Sequence, residues 1–138
     1  MASSPRLEQA AAIAVKDGQI CLITSRSGKR WVIPKGRLER GKTAEEIARE
    51  EAWEEAGVFG ILHPQPVGSY VYVKWGGTYH VTVFFMEVTE VADEWPERSL
   101  RRRCWLKPAQ CLVRIHNSGL REIIRNTLAL APVRKDEG

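Results

Sequence analysis

Cysteine is scarce in this chain and scattered. Cys21, Cys104 and Cys111 show no metal-type spacing, and their odd number argues against a disulfide framework. That usage suits a reducing compartment, so a cytoplasmic location is expected. No apolar stretch approaches the length of a membrane span. The opening run Met1-Ala2-Ser3-Ser4-Pro5-Arg6 has no signal-peptide apolar region and reads as a short flexible lead. Internal repeats and low-complexity blocks are also missing, which excludes solenoids and compositionally biased tails. Neither charge sign dominates: 21 Lys and Arg stand against 17 Asp and Glu, for a net charge of +4. That excess suits an anionic ligand, but it does not separate nucleic acid from small polyphosphates. The 138 residues, 43% of them hydrophobic, are enough for one cored domain. The expected domain is residues 1–138, with flexible ends at about 1–6 and 132–138.

What is present organises itself around turns. Gln9 to Lys16 is a small, apolar run that ends at Asp17-Gly18, a strong hairpin signal, and Gln19 to Thr24 reads as the returning strand. Ser25 to Arg30 is a polar loop, and Trp31 to Ile33 is a short strand stopped by Pro34. Lys35 to Lys42 reads as a glycine-bounded loop. Thr43, with Glu46 three residues later, is a capping-box signature, so a helix is expected from there to about Ala56, with Gly57 just past its end. After a connection containing Pro64 and Pro66, Val67 to Trp75 and Tyr79 to Val88 read as a hairpin turning at Gly76-Gly77. Val91 to Leu100 reads as a loop, Arg102 to Leu106 as a last strand, and Pro108 to Val113 and Leu120 to Leu130 as helices. Leu120, Ile123, Ile124, Thr127 and Leu128 form the apolar stripe of the last one. This order predicts an α/β (α+β) fold with a mixed sheet between helical layers.

The expected helix ends in Glu50-Glu51-Ala52-Trp53-Glu54-Glu55-Ala56-Gly57. At roughly 100° per residue, Ala44, Ala48, Glu51 and Glu55 share one narrow arc on the face that should be buried, and Glu54 lies beside it. A buried carboxylate neutralises, finds a partner or binds a cation. These glutamates also crowd a helix C-terminus, where the backbone dipole disfavours negative charge. A divalent cation resolves both problems, and hard oxygen ligands select Mg²⁺ or Mn²⁺, the ions of phosphate chemistry. The alternative for Glu51, Glu54 and Glu55 is a solvated acidic helix end.

The stretch Gly36 to Val58 resembles the signature of the Nudix hydrolases: a glycine, five residues, a glutamate, seven residues, then Arg-Glu-apolar-any-Glu-Glu-any-Gly-apolar. Gly36 opens it, Glu51-Ala52-Trp53-Glu54-Glu55-Ala56-Gly57-Val58 closes it in register, and Trp31 to Lys35 looks like the family's lead-in. Two positions depart from it. Lys42 stands where the first glutamate is expected and Glu50 where the arginine is expected. In the family that arginine helps to orient the ligand glutamates. Arg49 points elsewhere, and Glu50 adds a fourth carboxylate at i,i+4 from Glu54. The resemblance implies a Nudix-type α/β/α sandwich with a central mixed β-sheet. It also implies metal held by Glu51, Glu54, Glu55 and the Gly36 carbonyl, and a carboxylate general base, Glu51 first and Glu54 as its rival. A base outside the signature stays open.

Flanking segments look most like the diphosphoinositol polyphosphate and diadenosine polyphosphate phosphohydrolase branch. They are Ser25 to Trp31, Glu87 to Val91 with Asp93-Glu94-Trp95, and Arg101-Arg102-Arg103-Cys104-Trp105-Leu106 with Lys107-Pro108-Ala109. Phosphate contacts are then expected from Arg26, Arg30, Lys35, Arg101 and Arg103, because guanidinium groups grip phosphate oxygens in pairs. For each cluster a solvated face is the equal alternative. His80 reads as structural, and the five tryptophans as packing groups rather than base-stackers. The expected activity is pyrophosphate hydrolysis on a small, highly phosphorylated molecule, with no membrane partner and no extended nucleic-acid track. Its rivals are hydrolysis of nucleoside diphosphate derivatives or RNA 5′ ends, and a binding or sensing module that keeps the fold but turns over slowly.

Overall fold

Asp17 (φ 53°) and Gly18 (φ 75°) both adopt the left-handed conformation that a two-residue hairpin requires, and this turn sets the register of the first two strands. The computed structural model describes residues 6–130. Strand β1 (Arg6–Lys16) turns into β2 (Gln19–Thr24), with Lys16 opposite Gln19. Then come β3 (Trp31–Val32), β4 (Lys35–Arg37), helix α1 (Ala44–Ala56), β5 (Val58–Leu62), β6 (Gly68–Lys74), β7 (Gly77–Val91), β8 (Arg103–Leu106), α2 (Pro108–Arg114) and α3 (Ser118–Leu130). The readings made for residues 1–5, for the Leu128 side chain and for the tail from Pro132 lie outside the described residues. Arg6, read as part of the lead, is instead the first residue of β1 and pairs with Thr78.

The centre is a parallel pair, β1 beside β7, in register from Arg6↔Thr78 to Val15↔Glu87. Along its outer edge β7 takes β6 and then β5, both antiparallel, while β1 takes β4 and then β2. Both faces are covered, so β1 is buried on alternate sides without interruption from Gln9 to Ala14. Ala10, Ala12 and Ala14 face Ile47, Ala48, Ala52 and Ala56 of α1. Ala11 and Ile13 face Ile115 of the chain between α2 and α3, and Leu120, Ile123 and Ile124 of α3. The small side chains on the first face let α1 lie close to the sheet. This is the expected α/β/α sandwich.

Two short strands correct the sequence reading. Lys35 to Arg37, read as loop, forms β4 against Gln9 to Ala11 of β1. Val58 to Leu62, read as part of a connection, forms β5 against the end of β7. The hairpin between β6 and β7 turns at Trp75-Gly76 rather than Gly76-Gly77, with positive φ at both residues.

Candidate metal and phosphate site

Helix α1 starts as its sequence requires. The Thr43 side chain accepts from the Glu46 amide and the Glu46 carboxylate from the Thr43 amide, while Gly57 ends the helix at φ 67°. That phasing fixes which side chains meet the sheet. Glu55 is buried, Glu51 half-buried and Glu54 exposed. The Glu51 and Glu55 carboxyl groups lie against one another beside β4. Burial, then a shared hydrogen bond and the charges of Glu55, Glu54 and Glu97, push the Glu51 carboxyl up to about 8. Glu55 is also raised, chiefly by burial, and Arg101 and the Lys35 amide hold it in check.

Gly36 is where this arrangement needs a glycine. A Cβ there would sit 2.5 Å from the Glu51 carboxyl carbon, so the backbone of β4 forms a bare floor beneath that carboxylate. The Lys35 amide donates to Glu55 Oε1 at 3.2 Å. The Lys35 side chain leaves the other face of the strand, and its Nζ lies 5.3 Å from the centre of the Tyr72 ring. Burial lowers the Lys35 pKa, against the opposing pull of Glu55.

The fourth carboxylate here is Glu97, which the sequence reading did not find. Its amide donates to the Glu54 carbonyl at 2.9 Å, and its side chain accepts from Arg101 Nε at 3.0 Å. Its only sequence signal is its position four residues before Arg101. Arg101, expected to read phosphate, is committed internally. Its side chain is 7% exposed, with Nη2 3.4 Å from Glu55 Oε2 and Nη1 bonded to the Thr24 carbonyl at 3.0 Å. It lies in the loop before β8.

Arg103 is also committed. One guanidinium nitrogen donates to the carbonyls of Ala56 and Ala92, at 2.9 Å each, and the group lies 4.2 Å over the Trp95 ring. Trp95 packs on Gly57 and donates from Nε1 to the Glu55 carbonyl at 3.0 Å. No basic residue occupies the last turn of α1, so Arg103 supplies from outside the positive charge that this helix end favours. Arg103→Ala is therefore expected to lower stability by about 3 kcal/mol, read by urea unfolding, through loss of two charge-assisted hydrogen bonds and a cation–π contact. Arg26 and Arg30 lie on the exposed turn after β2. The Arg30 charge is felt at Lys35, whereas no side-chain contact ties Arg26 to the glutamates among the described residues.

Among the described residues, no three acidic, histidine or cysteine side chains already converge as a ligand set. The donor chemistry nevertheless fits a hard dication. Burial raises both inward carboxyls, so a dication would compete with a proton there, exposed Glu54 lies within reach of Glu51 on the next turn, and Gly36 leaves its backbone uncovered.

The chain matches the NUDIX domain over residues 6–127. It belongs to the Nudix hydrolase family. The Nudix signature read in the sequence is thus the floor and wall of this site. Nudix hydrolase 18, mitochondrial, of Arabidopsis thaliana is 32% identical over 127 residues, covering 86% of this chain and 72% of that protein. Nudix hydrolase 17, mitochondrial, of the same plant is 38% identical over 90 residues, 64% of this chain and 49% of that protein. Diphosphoinositol polyphosphate phosphohydrolase 3-alpha of Mus musculus is 33% identical over 95 residues, 67% of this chain and 56% of that protein. The chain therefore spans about half the length of the last two. A crystal structure of the C. elegans Ap4A hydrolase superposes with a TM-score of 0.75 at 16% identity, covering 91% of this chain and 98% of that one, a likeness of fold. Nudix hydrolases generally use divalent metals.

Proposed function

We propose that this Nudix chain is an Mg²⁺- or Mn²⁺-dependent pyrophosphohydrolase of small, highly phosphorylated substrates, either diphosphoinositol polyphosphates or dinucleoside polyphosphates. One observation carries the reading: Glu51 and Glu55 are pressed together over bare Gly36, with Glu97 and Arg101 closing the far side. Membership of a family of hydrolases and the relative named for diphosphoinositol polyphosphate support it.

Glu51, Glu54, Glu55 and the Gly36 carbonyl are the residues that would hold the cation. When bound, it screens phosphate charge and lowers the pKa of an attached water. Glu51 is the first choice as general base, with Glu54 and Glu97 as rivals. The base takes a proton from water as the water oxygen bonds to phosphorus, the bridging P–O bond breaks, and a phosphate-bearing group departs with the electron pair. Arg101 holds Glu55 and Glu97 at fixed separation. The Lys35 ammonium, on the Tyr72 side of β4, has no carboxylate within salt-bridge distance among the described residues and would meet a substrate phosphate that reaches that side, where the Arg30 charge is also felt. Arg98 and Arg102 line an open groove of about 830 Å³ that also borders Arg101 and Trp95, with room for the unreacting, charged end of a substrate.

The test is a panel of phosphoanhydrides read by chromatographic separation of the phosphorylated products released. Diphosphoinositol pentakisphosphate or diadenosine polyphosphate should be cleaved with Mg²⁺ and spared in EDTA. Faster release from nucleoside diphosphate derivatives or from RNA 5′ ends would replace this substrate class with the rival one. Binding without release from any of them would replace the enzyme with a sensing module.

A further inference from the structure

The two departures from the Nudix signature meet in space. Lys42 Nζ lies 2.9 Å from Glu50 Oε1, and this hydrogen bond is the chief reason that the lysine pKa is raised. The signature asks for an acid at position 42 and a base at position 50, and this chain has a base and an acid. Read separately, each change argues against activity. Lys42 removes a carboxylate, and Glu50 adds one four residues from Glu54 in place of the arginine that the signature puts there. Read together they conserve the opposite charges and only reverse their order.

The contact also sits where it can act. Lys42 closes the loop that leaves β4 just after Gly36 and precedes the N-cap Thr43. Within that loop the Lys42 amide donates to the Glu39 carbonyl at 3.2 Å, and its Nζ is 3.7 Å from Glu39 Oε1. At the other end of the contact, Glu50 is the residue next to Glu51 on α1. One ion pair thus fastens the loop that follows β4, the strand with the Gly36 floor, to the helix carrying the carboxylate above it.

We infer that Lys42 and Glu50 are a charge-reversed positioning pair that ties the loop after β4 to α1 and sets Glu51 and Glu54 for a divalent cation. The extra carboxylate is neutralised locally, so it does not compete with the ligand glutamates. The inference deepens the hydrolase reading and rests on it for the role of the cation. It removes the ground on which the altered signature suggested a module without turnover.

The test is a charge-exchange cycle of Lys42→Glu, Glu50→Arg and the double variant. Melting temperature is measured in EDTA, and the Mg²⁺ concentration giving half-maximal thermal stabilisation is measured without substrate. Each single variant sets like charges side by side. Each should melt lower in EDTA and raise the half-maximal Mg²⁺ concentration by about fivefold, the upper range for one partly exposed pair. The double variant should recover to within about twofold of wild type on both readouts. KM for the substrate should stay level while the Mg²⁺ requirement moves, a split that general destabilisation does not produce. Single variants indistinguishable from wild type, or a double variant no better than the worse single one, would overturn the pairing. If a reversal prevents folding, Lys42→Met, Glu50→Gln and their double variant replace it, and the criterion becomes non-additivity: the double variant should lose about as much as one single variant, and losses that add would overturn the pairing. A wild-type chain that takes up no Mg²⁺ would remove the hydrolase reading and the cation role together, and the EDTA melts would still decide whether the two residues act as a pair.

Discussion

Glu51→Gln should lower Mg²⁺-dependent phosphate release by about a hundredfold or more, while making the metal-free protein more stable at pH 8. The two effects share one cause. In the unfolded chain Glu51 ionises near its ordinary value of 4.5, and in the folded chain near 8. Between those values the folded state holds a proton that the unfolded state has released, so raising the pH favours unfolding. The stability of the metal-free wild type should therefore fall as pH rises from about 4.5 to about 8, and the raised Glu55 pKa adds in the same direction. A glutamine at position 51 carries no charge to lose, so the slope should flatten. Mg²⁺ should stabilise the wild type more at pH 8 than at pH 5, because it competes with the proton for the same oxygens. Thermal melts at the two pH values, with Mg²⁺ and with EDTA, read all of this. A metal-free melting temperature that climbs from pH 5 to pH 8 would mean that the carboxyls are not held protonated by the fold.

Gly36→Ala should separate activity from stability. The new methyl group would lie 2.5 Å from the Glu51 carboxyl carbon, but what it meets is the movable end of a side chain. The strand can stay and Glu51 must turn aside. A loss of about 1 kcal/mol or less in urea unfolding is expected beside a loss of at least tenfold in turnover. Gly60→Ala is the contrast. There a Cβ would run into the Glu87 carbonyl of the adjacent strand, where β5 and β7 shift register. Backbone cannot turn aside, so about 3 kcal/mol of stability should be lost. Equal losses of stability in the two variants would show that Gly36 serves the strand rather than the glutamate.

The parts of this fold that local chemistry dictates were readable in the sequence. Asp17-Gly18 forms the hairpin it spells, and Thr43 with Glu46 caps α1 at the expected residue. Gly57 ends that helix, and the phase between these two ends put Glu51 and Glu55 on the inward face. Strands β4 and β5 were hidden because distant partners make them. β4 has only Lys35, Gly36 and Arg37, a pattern that looks like loop until Gln9 to Ala11 lies beside it. In β5 the apolar Phe59 and Ile61 face outward, which blurs the alternation. The internal contacts of the arginines were unreadable for a related reason. Charge clusters show where cations are plentiful, but the carbonyls of Thr24, Ala56 and Ala92, which occupy Arg101 and Arg103, carry no mark in the sequence. Glu97 is equally silent, one acid beside Asp93 and Glu94 in a loop whose distance from α1 depends on the path of that loop.

The segment after β7, together with the first residue of β8, donates to four successive carbonyls at the end of α1. Glu97 serves Glu54, Trp95 serves Glu55, Arg103 serves Ala56, and Ala92 serves Gly57. These are the acceptors that a helix leaves unspent where it stops. Helix α1 therefore continues, in hydrogen-bonding terms, into a stretch of chain far downstream. Changing the length of that stretch would shorten the helix as surely as cutting its last turn, whereas the link between β5 and β6 carries no such debt.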